Sequence, residues 1–153
     1  MKKYVLIICL IIFIDQVSKW YVVNLIGDKG VIEILSFLRF TTVWNAGISF
    51  GILNNFEYSN VVFCSISILI TCVLCYLFIV QPHYRLPLVI IIGGSIGNII
   101  DRIRYGAVYD FIDFYINNLH WPVFNLADSF IFLGIVIIMA KSNNHMKQIN
   151  CNS

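Results

Sequence analysis

The sequence predicts a mainly α-helical membrane protein. It would be a bundle of four transmembrane helices with a small β-containing segment and a second loop, both outside the membrane. Three observations carry this reading. Of the 153 residues, 59% are hydrophobic and only 12% charged, against about 45–50% and about 25% in soluble domains. Four stretches reach the roughly 20 apolar residues that a bilayer core demands. The carboxylates within and beside them gather toward one end. The four stretches take up more than half the chain, which leaves one membrane domain over 1–153 and no separate soluble one.

The first span is Tyr4–Asn24. Its start, "MKKYVLIICLIIFI", has the basic and apolar regions of a secretory signal. It continues as "DQVSKWYVV", with no small-x-small cleavage site, so a retained helix is expected. Segment 26–57 follows. Its "VIEILSFLRFTTVW" is β-branched, aromatic and partly alternating, which predicts a strand or two. "NAGISFGILNN" then places Gly47 and Gly51 where a turn or a close backbone approach is expected. The segment is too apolar for a solvated loop, so it should lie against the outer membrane surface and the mouth of the bundle.

The second and third spans are Ser59–Val80 and Leu86–Tyr105. Segment 106–120 then gathers Tyr109, Phe111, Phe114 and Tyr115 around two acids and runs into Trp121. That aromatic density suits the membrane–water interface. The fourth span is read as Trp121–Ala140, with Pro122 in its first turn, where a missing N–H costs nothing. The tail 141–153, "KSNNHMKQINCNS", is polar and expected to be without structure.

Basic residues orient the bundle. Lys2, Lys3, His83, Arg85, Lys141 and Lys147 fall on one side of an even number of spans, which the positive-inside tendency makes cytoplasmic. A net charge of +2 is too small to suggest nucleic acid as a partner. The five cysteines, Cys9, Cys64, Cys72, Cys75 and Cys151, make no disulfide framework. "CVLC" at 72–75 lies mid-span without the βαβ setting of a redox motif, so small buried thiols are expected.

Polar groups inside a span need protein or water-filled partners, and ionisable ones mark functional sites by default. Asp15 and Lys19 are four apart and share a helix face; they suit a structural ion pair better than a catalytic one. In "GGSIGNIIDRIRYG", Gly94, Asn98, Asp101, Arg102 and Tyr105 recur at helical spacing. Asn98, Asp101 and Arg102 would form an inward polar face, either a clamp between helices or the wall of a site. In the fourth span Asp128 would lie roughly 10 Å below the helix start, with Asn125 on the same face. A lone carboxylate there is costly and calls for a partner.

Pattern leaves that partner open among Asp15, Asp101, Asp110 and Asp113. Asp110 and Asp113 would both face the site if their segment were helical. Two carboxylates sharing one proton form an acid–base pair that hydrolyses peptides without a metal. His83, His120 and His145 are dispersed, and neither HExxH nor a nucleophile elbow is present. Metalloprotease and serine hydrolase chemistry are therefore not expected.

Five blocks fall in order along the chain: "FIDQVSKW" (13–20), "WNAGISFG" (44–51), "GGSIGNIIDR" (93–102), "VYDFIDF" (108–114) and "FNLADS" (124–129). Together the set resembles the lipoprotein signal peptidase family, also called signal peptidase II. The resemblance implies a membrane aspartyl endopeptidase that removes the signal peptide from diacylglyceryl-modified prolipoproteins, just before the lipid-bearing cysteine. It implies Asp110 and Asp128 as the catalytic pair, and Asn45 and Arg102 as holders of the substrate backbone. Asn98, Asp101 and Asn125 would brace the site, and Asp15 with Lys19 would brace the first helix. No cofactor or metal is implied.

The implied setting is the bacterial inner membrane, with both termini cytoplasmic and the active site near the outer face. Membrane phospholipid would surround a likewise implied monomer, and inhibitors of the globomycin type would occupy the cleft. The chain departs from the family pattern at Trp44, where a basic residue is common, at "GISF" after the asparagine, and at Tyr109, where valine is usual. A small ion-coupled transporter is the alternative, since it too needs acids inside a bundle. A scaffold whose polar faces merely clamp helices is a third reading.

Overall fold

The computed structural model describes residues 1–47 and 59–151. The turn or close approach expected at Gly51, with the rest of 48–58, lies outside them. In chain order the elements are α1 (Lys2–Ile26), β1 (Val31–Leu35), β2 (Leu38–Asn45), α2 (Ser59–Val80), α3 (Arg85–Tyr105), β3 (Val108–Ile116), β4 (Leu119–His120) and α4 (Leu126–Cys151). All four helices are long and apolar enough to cross a membrane.

The third helix is the hub. Two-thirds of its apolar window (67%) is buried, against 6% of that in α2. It packs on α1, α2 and α4. Small residues allow this closeness. A Cβ on Gly94 would stand 2.5 Å from the Ala127 carbonyl oxygen, and one on Gly97 would stand 2.7 Å from Asp15 Oδ2. Gly97→Ala should therefore push α1 off α3 and cost about 1–3 kcal/mol, read as a lower thermal transition of the purified protein. At its C-terminal end α3 stops at Gly106, whose φ of 75° is left-handed and whose N–H donates to the Arg102 carbonyl at 3.1 Å.

α2 and α4 both lean on α3, without extended contact between them among the described residues. Their outward faces are apolar, as lipid requires. Cys72 and Cys75 are on the exposed face of α2, and Cys9 is exposed on α1. That corrects the expectation of buried thiols: a thiol is apolar enough to face lipid as readily as a core.

The strands form one antiparallel sheet in the order β1-β2-β3-β4. The expected strand or two appear as β1 and β2, paired antiparallel. Segment 106–120, read as a loop beyond the β-containing segment, is instead the sheet's third strand and a short fourth. Register places Val43 opposite Asp110 and Arg39 opposite Asp113, with a bulge between Phe40 and Val43. Burial explains the difference: Tyr109 and Phe111 cluster with Val22 and Ile26 of α1 under the sheet. The density of aromatics that suggested an interface is largely this small core.

The fourth helix begins at Leu126, not at Trp121. The reason is a backbone tie to β3. Phe124 N–H donates to the Ile112 carbonyl (3.1 Å), and its own carbonyl accepts from Phe111 and Ile112 (3.1 and 2.8 Å). Residues 121–125 are thereby held outside the helix, and Pro122 precedes it. At the other end α4 runs on to Cys151, so the polar tail read as structureless is helical that far. No Gly or Pro in 141–151 stops it.

Candidate active site

Asp128 is the third residue of α4 and Asn125 its N-cap. The Asn125 side-chain oxygen accepts from Asp128 N–H at 3.0 Å, and Asp128 Oδ2 accepts from Asn125 N–H at 3.4 Å. This reciprocal pair is a capping box with aspartate in the position that Glu or Gln usually fills. A carboxylate in the first turn also faces the positive end of the helix dipole. The cost of a carboxylate at the threshold of an apolar run is thus met by the helix that carries it.

Asp110 comes from the middle of the sheet, on β3, and is 2% exposed. Asn125 Nδ2 donates to its Oδ1 at 2.6 Å, and Asn45 Nδ2 of β2 donates to its Oδ2 at 3.0 Å. Asn98 of α3 completes the bridge. Its Nδ2 donates to Asp128 Oδ1 at 2.8 Å, while its Oδ1 accepts from Asn125 Nδ2 at 3.2 Å. Asn125, wholly buried, therefore has its oxygen on the backbone N–H of Asp128 and its amino group on Asp110. Among the four candidate partners for Asp128, Asp110 is the one tied to it.

Burial pushes Asp110 from the usual carboxylate range up to about 6. The neighbouring charge of Asp128 adds to the rise, and the hydrogen bonds from Asn45 and Asn125 offset part of it.

Asp15 and Asp101 are engaged elsewhere. Lys19 Nζ sits between them, 2.9 Å from Asp15 Oδ2 and 2.7 Å from Asp101 Oδ2, and also donates to Asn98 Oδ1 at 3.2 Å. Asp15 Oδ1 accepts from Ala127 N–H of α4 at 2.9 Å, and Asp101 Oδ2 from Tyr109 N–H of β3 at 3.3 Å. Gln16, which the pattern did not single out, donates to Asp101 Oδ1 at 2.9 Å. As one polar residue on a partly buried face it carried no periodic signal. The cluster fastens α1, α3, α4 and β3 around the carboxylate pair, a bracing role for Asp15, Lys19 and Asp101.

Asp113 is three residues from Asp110 on a strand, so the two point to opposite faces. A helix would have brought them together, and the segment is not helical. Asp113 is bound by Arg39 Nε at 2.6 Å and by His120 Nδ1 at 3.0 Å. Asp113→Asn should leave any activity that rests on the Asp110–Asp128 pair within a few-fold of wild type and act mainly on the thermal transition. Comparing both readouts on one preparation checks it.

Arg102 lies on the same side of α3 as the pair, and the charges of both Asp128 and Asp110 reach its guanidinium. Its Nη1 donates to the Asn98 carbonyl at 3.4 Å. Asn60 of α2 donates through Nδ2 to the Arg102 carbonyl at 3.2 Å. Arg102 Nε and Asn60 Oδ1 are buried and meet no partner among the described residues. Each such atom costs about 1–3 kcal/mol, a cost that native structures seldom leave without a functional reason.

Four helices long and apolar enough to cross a membrane, with two carboxyl groups joined through Asn125 and Asn98, make an arrangement that is chemically able to do acid–base work on a group brought to it. The chain is a member of the signal peptidase II family, whose description, "Signal peptidase (SPase) II", matches residues 7–143. It is 37% identical over 148 residues to the lipoprotein signal peptidase of Anaplasma phagocytophilum, covering 95% of each chain. It is 43% identical over 138 residues to that of Rickettsia canadensis, covering 87% of this chain and 70% of that one. A solved bacterial membrane enzyme matches with a TM-score of 0.81 at 30% identity, over 97% of this chain and 92% of that one.

Proposed function

We propose that the protein is an aspartyl endopeptidase of the inner membrane. It removes the signal peptide from diacylglyceryl-modified prolipoproteins just before the lipid-bearing cysteine. The observation that carries this reading is the Asn125–Asn98 bridge: Asn125 Nδ2 donates to Asp110 Oδ1 and to Asn98 Oδ1, and Asn98 Nδ2 donates to Asp128 Oδ1, which joins the two carboxyl groups in one hydrogen-bonded unit. Family membership supports the substrate class, and nothing supports the transporter alternative.

The reaction needs one charged and one neutral carboxyl group. Asp110, raised to about 6, holds the proton, which leaves the role of base to Asp128. Asp128 takes a proton from water as its oxygen attacks the scissile carbonyl carbon. Asp110 donates its proton to the carbonyl oxygen, giving a tetrahedral diol; as the C–N bond breaks, Asp128 passes the proton it took from water to the departing cysteine nitrogen and a diol hydroxyl returns a proton to Asp110. Arg102 steadies the substrate backbone. Asn45, bonded to Asp110, sets that carboxyl's orientation.

The whole of 1–153 acts as one membrane domain, monomeric and surrounded by phospholipid. Both termini are cytoplasmic. Lys141 Nζ donates to the His83 carbonyl at 3.1 Å, which supports one end for both basic segments and the opposite, outer face for the site. The signal helix approaches from the lipid through the gap between α2 and α4, with its acyl chains left in the bilayer. A globomycin-type inhibitor would occupy the same cleft.

The test is cleavage of a diacylglyceryl-modified prolipoprotein by protein reconstituted in vesicles, beside the same precursor without lipid. Cleavage of the modified form alone, with the lipidated cysteine as the new N-terminus, supports the reading; cleavage of neither form removes it. The pH profile has a defined sign. Asp110 loses its proton as pH rises through about 6, so kcat/KM should fall about tenfold per unit above that point.

A further inference from the structure

Arg102 Nε and Asn60 Oδ1 are the buried side-chain atoms without a hydrogen-bond partner among the described residues. They lie on facing residues of α3 and α2. Asn60 Nδ2 is committed to the Arg102 carbonyl at 3.2 Å, and that bond fixes which end of the amide is which. A carbonyl can face only the amino group, so the end left unpaired is an acceptor. The Arg102 Nε–H left unpaired is a donor.

One unmet donor and one unmet acceptor, side by side, match what an extended peptide offers: a C=O and an N–H from its backbone. Their place in the fold is suited to it. Asn60 is at the outer end of α2, on one wall of the gap between α2 and α4; Asp128 is at the outer end of α4, on the other. The charges of Asp128 and Asp110 reach the Arg102 guanidinium.

We infer that Asn60 is a substrate-binding residue: its Oδ1 accepts a backbone N–H of the signal peptide close to the scissile bond, while Arg102 Nε donates to a neighbouring carbonyl. The pair reads main chain and not side chains. It therefore holds the peptide in register while tolerating varied signal sequences. The inference rests on the peptidase reading, and its test separates the two.

The substrate is a synthetic lipopeptide with the diacylglyceryl group on cysteine. Each amide preceding the cysteine is replaced in turn by an ester, which removes one N–H and keeps the shape. Cleavage of the all-amide peptide by wild type and its loss in Asp110→Asn test the peptidase reading alone. If Asn60 accepts as inferred, one ester position lowers kcat/KM about tenfold in wild type, through KM. In Asn60→Ala that ester and its amide parent are cleaved within about twofold of each other, because the acceptor is already gone. An ester effect of the same size in Asn60→Ala at every position overturns the inference and leaves Asn60 as a helix brace; so does the lack of any ester effect in wild type. Should Asn60→Ala fail to fold, Asn60→Ser, which also cannot reach, carries the comparison.

Discussion

Asp128→Asn is expected to fold and to cleave at least about a thousandfold more slowly than wild type, within the range that a positioned acid or base contributes. Asparagine keeps one oxygen, which can still accept from the Asn98 amide, and the bond from the residue 128 N–H to the Asn125 side chain is untouched, so only the 3.4 Å bond from the Asn125 N–H is lost and the fold survives. What it loses is the ability to take a proton from water. Asp110→Asn should show a loss of the same order for the opposite reason: its amide cannot hand a proton to the carbonyl oxygen. The double variant should be little worse than either single one, because the two groups act as a unit. Initial rates on a lipidated precursor, with thermal transitions run in parallel, check all three. A cleaving Asp128→Asn protein would mean that the carboxylate only caps α4.

Lys19→Met is expected to be the most damaging substitution for stability. Lys19 is 5% exposed and lies between two carboxylates that are themselves buried, with Asn98 as its third partner. Methionine matches the stem but leaves Asp15 and Asp101 facing each other with no cation. Removing one partner of a buried ion pair costs about 3–5 kcal/mol, a large part of a total stability of about 5–15 kcal/mol. The expected result is a strongly lowered thermal transition and little recovered folded protein. The companion variant Lys19→Met with Asp15→Asn and Asp101→Asn removes the stranded charges and should recover part of the loss. If it recovers none, the cluster's contribution is packing and not charge.

Much of the architecture is written in composition and spacing. The span lengths, the strands β1 and β2, and the face that carries Asn98 and Asp101 all follow from period and polarity. Asp128 announces itself by its setting. Its partner does not, because the choice between Asp110 and Asp113 depends on whether their segment is a helix or a strand. "YDFIDFY" is apolar or aromatic except at its two acids, and those are three apart and not two, so no alternation betrays the strand. The resemblance singles out Asp110; the strand puts that residue beside Asn125 and turns Asp113 away.

The start of α4 was hidden for a related reason. Pro122 is a good first-turn residue by itself, and what holds 121–125 outside the helix is hydrogen bonding between Phe124 and β3, a long-range fact. Gln16 and Asn60 escaped notice because each is a single polar residue whose importance lies in the carbonyl or carboxylate it meets on another helix.

The central claim is that Asp110 and Asp128 form one coupled pair, with the proton on Asp110. Infrared difference spectra of the reconstituted protein, followed from pH 5 upward through neutrality, measure that proton through the carbonyl band of a protonated carboxyl group. The account predicts a band that disappears as pH rises through about 6, is missing in Asp110→Asn, and titrates at lower pH in Asp128→Asn, where the charge that helps hold the proton is gone. A band that persists in Asp110→Asn, or whose titration ignores the loss of Asp128, would contradict it.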